Sequence, residues 1–438
     1  MQNSIGHIPF FKLVRLVFSL FHFQGEGTVL ILMCKKFVLL ILFFLPGLLF
    51  AQNPIDKGHL NIDTTGKRDI IDIGRSLIKE KPRPVLGEEK KKLYFSFLPV
   101  STSLAGGGSV LVTSTTAGFY LGDRSTTYIS AVTFAPYANF KGRYGLPIRS
   151  SIWLNNNAWN IQGDARLLVY PQFTWALGGG QPESDRLLVN YNYVRFYEAA
   201  LKQIKPYFFV GAGYALDYYI DIESGDNSIG NTITDFTHYK FGTSSDKNSF
   251  SSGPTINLLY DTRKNDLNPL PGIYANMVYR YSGRTFGSSN NWQSLYLDFR
   301  KYVSLTTRGP KSELAFWSYY WTTLGTNAPY LELPAIGMDP YNRSGRGFEQ
   351  NRYRGKRLID FETEYRGDIT HNGLLGFVLF ANINSASQLM SNRFVYWNPA
   401  AGTGLRIKFN KKSDTNICID YGFSRDFSSV TLGLGEAF

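Results

Sequence analysis

The sequence predicts an all-β chain: a transmembrane antiparallel β-barrel of about sixteen strands behind a short N-terminal segment. Three observations lead there. From Leu93 onward, segment after segment alternates between two classes of side chain with a period of two. Aromatic residues make up 16% of the chain, mostly Phe and Tyr, beside 42 Gly and only 18% charged residues. That composition suits a barrel with an aromatic girdle at each membrane interface better than it suits a soluble enzyme. Finally, no apolar run after Ala51 has the length of a membrane-crossing helix, so a membrane protein made from this chain has to cross with strands.

The elements follow in chain order. Residues 1–32 carry an apolar patch and read as an extension from a start codon assigned too early. Residues 33–51 combine Lys35 and Lys36, an apolar run from Phe37 to Phe50, and Ala51 before a polar residue, the layout of a secretory signal peptide. Removing it leaves one cysteine, Cys418, so the mature chain has no intramolecular disulfide. Residues 52–92 form a short periplasmic segment or plug. Within it Ile70, Ile71, Ile73 and Leu77 fall at helical spacing, predicting a short helix within 69–80.

The barrel occupies 93–438. Its clearest strand places Phe208, Val210, Ala212, Tyr214, Leu216, Tyr218 and Ile220 on a lipid face, and Phe209, Gly211, Gly213, Ala215, Asp217, Tyr219 and Asp221 in the lumen. Asn276, Arg280, Asp298, Arg300, Arg406 and Lys408 point inward on other strands by the same period. Sixteen such segments run from 93–102 to 428–438, an even count, as a single-chain bacterial barrel requires. The longest gaps, 223–250 and 324–355, follow the seventh and eleventh segments, and most even-numbered gaps are short. With both termini on the inner side, that parity sends long loops outward and short turns inward.

The second of those gaps ends in Gly345-Arg346-Gly347-Phe348-Glu349-Gln350-Asn351-Arg352-Tyr353-Arg354. An Arg-Gly-Phe there supplies a guanidinium for a wall carboxylate, a residue permitting a tight turn, and an apolar anchor. The stretch resembles the loop-six motif of the BamA/TamA-like outer-membrane surface-antigen superfamily. Tyr260-Asp261-Thr262-Arg263 with Pro271-Gly272 is similar to that family's turn between strands eight and nine, and Leu177-Gly178-Gly179-Gly180 to its glycine-rich segment. The chain ends in an alternating segment containing Leu432, Leu434 and a final Phe438, which resembles the strand signal read by outer-membrane assembly machinery.

The resemblance implies that the loop folds back into the lumen and that Arg346 meets acidic groups on strands twelve and thirteen. Strand twelve turns Asp360, Glu362, Glu364 and Arg366 inward, with Glu364 the best match for the partner. On strand thirteen the family often has an Asp where this chain has Asn382, which leaves one charged partner rather than two. The 52–92 segment is too short for one of the family's periplasmic POTRA modules. The family reading is a barrel in the outer membrane of a Gram-negative bacterium. It would assist insertion or translocation of polypeptides, with outer-membrane lipids and unfolded outer-membrane or secreted chains as partners. The alternative is a passive or gated pore for small solutes or lipids, or a barrel scaffolding a partner protein.

Other classes find little support. The net charge of +12 is spread singly among strands and loops, without a basic helix or an aromatic–basic RNA signature, so no nucleic-acid partner is expected. The five His residues are scattered, and neither a nucleophile elbow nor a phosphate loop is present. No enzyme activity, metal or cofactor is expected.

Overall fold

The computed structural model describes residues 66–77, 93–103, 109–138, 143–224, 233–240, 247–263, 268–269, 271–306, 310–340, 342–411 and 414–438. The proposed start extension, the signal peptide and most of the 52–92 segment lie outside the described residues. The described residues belong to one compact unit, 59–438.

That unit is a nearly closed antiparallel barrel. Its strands are β1 (Leu93–Ser103), β2 (Ser109–Phe119), β3 (Ser130–Phe134 with Tyr137–Ala138), β4 (Tyr144–Trp153), β5 (Trp159–Val169 with Gln172–Thr174), β6 (Leu187–Lys205), β7 (Phe208–Ser224) and β8 (Ser249–Asp261). They continue as β9 (Gly272–Ser282), β10 (Trp292–Ser304), β11 (Ser312–Leu324), β12 (Arg357–Asp368), β13 (Leu375–Ala386), β14 (Asn398–Asn410), β15 (Thr415–Phe423) and β16 (Ser428–Leu434). Each strand pairs with its sequence neighbour. The two interrupted strands keep their partners on both sides of the break: both pieces of β3 lie between β2 and β4, and both pieces of β5 lie along β6. Each break sits at a proline, Pro136 and Pro171, which has no N–H to give the ladder. Among the described residues no paired register joins β1 to β16, so the seam between first and last strands lacks the ladder found everywhere else.

The alternation sorts side chains as the sequence predicts. Phe209, Ala215, Asp217 and Tyr219 are buried inward, while Tyr214, Ile256, Phe299, Phe316, Leu379 and Leu405 are exposed on the outer wall. So large an apolar exterior is unlike the surface of a water-soluble monomer. Asp298, Arg280, Arg300, Arg406 and Lys408 are buried on the lumenal side, and Asn276 is half-buried. The period fails in two places. Asp221 faces out rather than in, because the backbone there turns left-handed (φ 55°) and the β6–β7 register slips, which buries Ile222 instead. The last strand ends at Leu434, not at 438: Gly435 (φ 82°) turns the chain, and Glu436 and Phe438 are buried with the lumenal side chains.

The short helix is present as α1 (Ile70–Leu77). Asp69 caps it by accepting from the Asp72 N–H at 2.8 Å, and Asp72 returns a bond to the Asp69 N–H. The same two carboxylates accept from Lys411, on the turn after β14, so α1 is fastened to that end of the barrel.

The connection 325–356 decides what the lumen is. Tyr330, Leu333, Ala335, Ile336, Asn351 and Arg354 are almost wholly buried, and Tyr330, Leu331 and Leu333 pack with Tyr191, Tyr193 and Tyr219 of the wall. A loop this apolar buries surface worth roughly 1.5–3 kcal/mol for each fully covered large side chain. The core of this barrel is its own loop.

Candidate functional site: the lumenal loop anchor

Three left-handed residues shape the loop tip: Asn342 (φ 54°), Gly345 (φ 70°) and Gly347 (φ 93°). A Cβ at Gly347 would lie 3.0 Å from the backbone N and O of Phe423 and from Ala400 Cβ. A Cβ on Gly422 would reach the Gly347 N at 2.6 Å. Glycine on both sides therefore lets the loop backbone press against β15. The Phe348 N–H closes a tight turn on the Gly345 carbonyl at 2.9 Å, and its ring meets Tyr353 edge-on at 5.4 Å.

That turn aims Arg346 at the wall. Its Nε donates to Glu362 Oε1 at 2.9 Å, Nη2 donates to Glu362 and to Glu364, and Nη1 donates to Asp420 Oδ2 at 2.8 Å. The guanidinium lies over the Phe380 ring, 3.8 Å from its centre. All of these partners are buried. A planar fork shared by three carboxylates and backed by a ring is a use of Arg that Lys cannot copy. Glu364 also accepts from Arg366, and Asp420 from Arg406. Arg366 and Arg406 in turn reach Glu436, at 4.0 and 2.7 Å. Asn382 takes no charge role: its side-chain amide donates to the Arg346 carbonyl at 2.8 Å.

The structure thus brings Arg346, Gly347 and Phe348 together with Glu362, Glu364 and Asn382. The expectation of a single charged partner falls short of what is found, since Glu362, Glu364 and Asp420 all bind the guanidinium. Asp420, Phe380 and Gly422 were not singled out from sequence. The period of two in β15 would have placed Asp420 inward, but nothing local says that it crosses the lumen to this loop.

The three terminal positions part company. Leu432 is exposed on the outer wall, whereas Leu434 and Phe438 are buried. The Phe438 ring lies tilted 5.2 Å from Trp317, its main-chain oxygen accepts from Arg366 at 2.9 Å, and the Glu436 carbonyl accepts from Arg343 of the loop at 2.5 Å. Burial would raise the Glu436 carboxyl. Arg406, Arg366 and Lys311 overcome that and hold it far below its ordinary value.

A second polar cluster ties the start of the loop to the opposite wall. Asp217 accepts from Arg195 at 3.2 Å and from Arg280 at 2.5 Å, with Tyr193 and Tyr197 donating to it as well. Glu332 of the loop sits 3.6 Å from Arg280. Burial, together with the neighbouring Asp217 carboxylate, raises Glu332 to about 8. Among the described residues no group of three or more His, Cys, Asp or Glu side chains is placed to hold a metal ion.

No protein-family model matches the sequence, and no curated protein does either. Solved structures do match in shape. CdiB from Acinetobacter baumannii superposes with a TM-score of 0.50 at 12% identity, over 78% of this chain and 58% of that one. CdiB from Escherichia coli gives 0.48 at 10% identity, over 78% and 61%. BamA from Haemophilus ducreyi lacking POTRA domains 1-3 gives 0.47 at 12% identity, over 78% and 69%. This chain therefore spans about six-tenths of the CdiB chains it matches. At such identities the likeness concerns architecture alone, and on that level the chain is a barrel of the fold seen in CdiB from Acinetobacter baumannii.

Proposed function

We propose that this protein is an outer-membrane barrel of a Gram-negative bacterium that assists insertion or translocation of other polypeptides, with unfolded outer-membrane or secreted chains as its clients. The observation that carries this reading is the loop 325–356, packed into the lumen and held by Arg346 to three carboxylates. A lumen filled by its own loop is poorly suited to a passive solute pore. The seam between β1 and β16, which has no paired register among the described residues, leaves strand edges on which an incoming segment can add by backbone pairing.

The test is the outer-membrane and secreted proteome after removal of the protein, combined with photo-cross-linkers at Val430 and Leu432, both exposed on β16. Loss of particular barrels or secreted chains, and cross-links to those same chains, is the expected result. An unchanged proteome together with steady single-channel conductance of the wild-type protein would replace this reading with that of a pore.

A further inference from the structure

The wall beside Arg346 carries oxygens that the loop anchor leaves unused. Asp360 of β12 lies directly opposite Asn384 of β13, and Glu362 lies opposite Asn382 on the next inward rung. All four are buried, with Asp360 and Asn384 fully so. Arg346 binds only one oxygen of Glu362, and Asn382 spends an amide N–H on the Arg346 carbonyl. Five oxygens remain without any hydrogen-bond donor: both of the Asp360 carboxylate, Oε2 of Glu362, and the amide oxygens of Asn382 and Asn384. The Asn384 amide nitrogen is also unpartnered, so this side chain is not there to donate to its neighbour across the strands.

Buried polar atoms are almost always paired, and a block of five unpaired acceptors on two adjacent rungs is far outside that habit. Side chains there stand about 5 Å apart across the strands and about 7 Å apart along them, close enough to converge on one point. The charge agrees. Arg346 is already divided among Glu362, Glu364 and Asp420, which leaves Asp360 with no cation of its own.

We propose that the Asp360–Glu362–Asn382–Asn384 block is a binding site for a calcium-like divalent cation, which shares Glu362 with Arg346 and so helps to hold the loop in the lumen. An all-oxygen set of carboxylates and amide carbonyls is hard-cation chemistry. Calcium accepts a bidentate carboxylate and amide oxygens in flexible geometry, whereas magnesium demands a near-ideal octahedron and keeps most of its waters. Two carboxylates suffice because the amides complete the set. The site is independent of the transport reading.

The experiment uses the full-length barrel, purified in detergent and stripped with a chelator. Terbium luminescence sensitised by Tyr319, the β11 residue opposite Asp360, reports occupancy, and protease cleavage within 342–354 reports the loop. The expected result is terbium binding that calcium displaces far better than magnesium, with loop cleavage slowed when calcium is restored. Asp360→Asn should abolish both effects, and Asn384→Asp should retain them. Should Asp360→Asn fail to assemble, Asn384→Leu, which removes one amide ligand, should weaken binding in the same assays. The proposal is overturned if calcium leaves both signals of the wild-type barrel unchanged, if magnesium competes equally, or if Asp360→Asn or Asn384→Leu responds like wild type. The five oxygens would then be satisfied by water alone.

Discussion

At the scale of single residues, Arg346 is over-determined: three carboxylates, a ring and a glycine-shaped turn all specify one position. Removing it strands buried negative charge, which costs up to about 3–5 kcal/mol, less where Arg366 and Arg406 take up the slack. Arg346→Ala is therefore expected to speed protease cleavage of the 342–354 stretch markedly, and Arg346→Lys to restore it only in part. Glu364→Gln should be milder than Arg346→Ala, because Glu362 and Asp420 still hold the guanidinium; equal effects would mean that Glu364 alone is the anchor. The glycine pair makes a separate prediction. Gly422→Val puts side-chain atoms where the Gly347 backbone runs, so the loop must lift from β15, and its cleavage should rise while the barrel stays assembled. A fully protected loop in Gly422→Val would show that the close approach is unnecessary.

At the scale of elements, the loop 325–356 is fixed at both ends by buried polar groups, and the two ends respond differently to pH. The Glu332 carboxyl, ordinarily near 4.5, is raised to about 8 by burial and by Asp217. The folded state then holds a proton that the unfolded state has already lost, so stability falls as pH rises from about 4.5 to about 8 and levels off beyond. Loop protection measured across that window should decline, and Glu332→Gln should flatten the decline. A profile as steep in Glu332→Gln as in wild type would assign the titration to another group. The last residues behave as an element of their own. Gly435 turns the chain inward, and Glu436 and Phe438 join the loop anchor through Arg343, Arg366 and Arg406, so this segment closes the network from the far side.

At the scale of the whole molecule, a barrel with an apolar outer wall and a dense, charged lumen tolerates charge on one side only. Leu379, 52% exposed on β13, and Leu405, 37% exposed on β14, belong to the outer wall. Arg at either position should destabilise the barrel by about 2–4 kcal/mol near the membrane midplane and by less toward the rims, read from unfolding titrations in lipid. Arg at Gly404 is not a clean lumenal control, because a Cβ there already collides with the Asp420 carboxylate. At Gly404 the lumen is filled space, not vacant polar surface. A measured cost near zero at Leu379 would reverse the inside and outside of β13.

Much of this architecture is legible in the sequence because its signals are local. A period of two states which side of the sheet each residue takes, and the parity of gap lengths sorts long loops from short turns. These are properties of adjacent residues, and they hold whatever the rest of the chain does. The slip at Asp221 is hidden because a β-bulge depends on the partner strand as much as on its own. The site is legible by half. Arg346, Glu362 and Glu364 stand out on their own segments, but Asp420 lies 74 residues beyond Arg346, and Phe380 and Gly422 look like ordinary wall positions. The terminal segment shows the same limit: alternation carries the strand to 438, while ion pairs across the lumen turn it inward after Leu434. The sequence by itself determined the strands and their faces, since these rest on local stereochemistry. Only the tertiary structure decided which inward residues meet, because closing the barrel and threading the loop through it set distances between groups far apart in the chain.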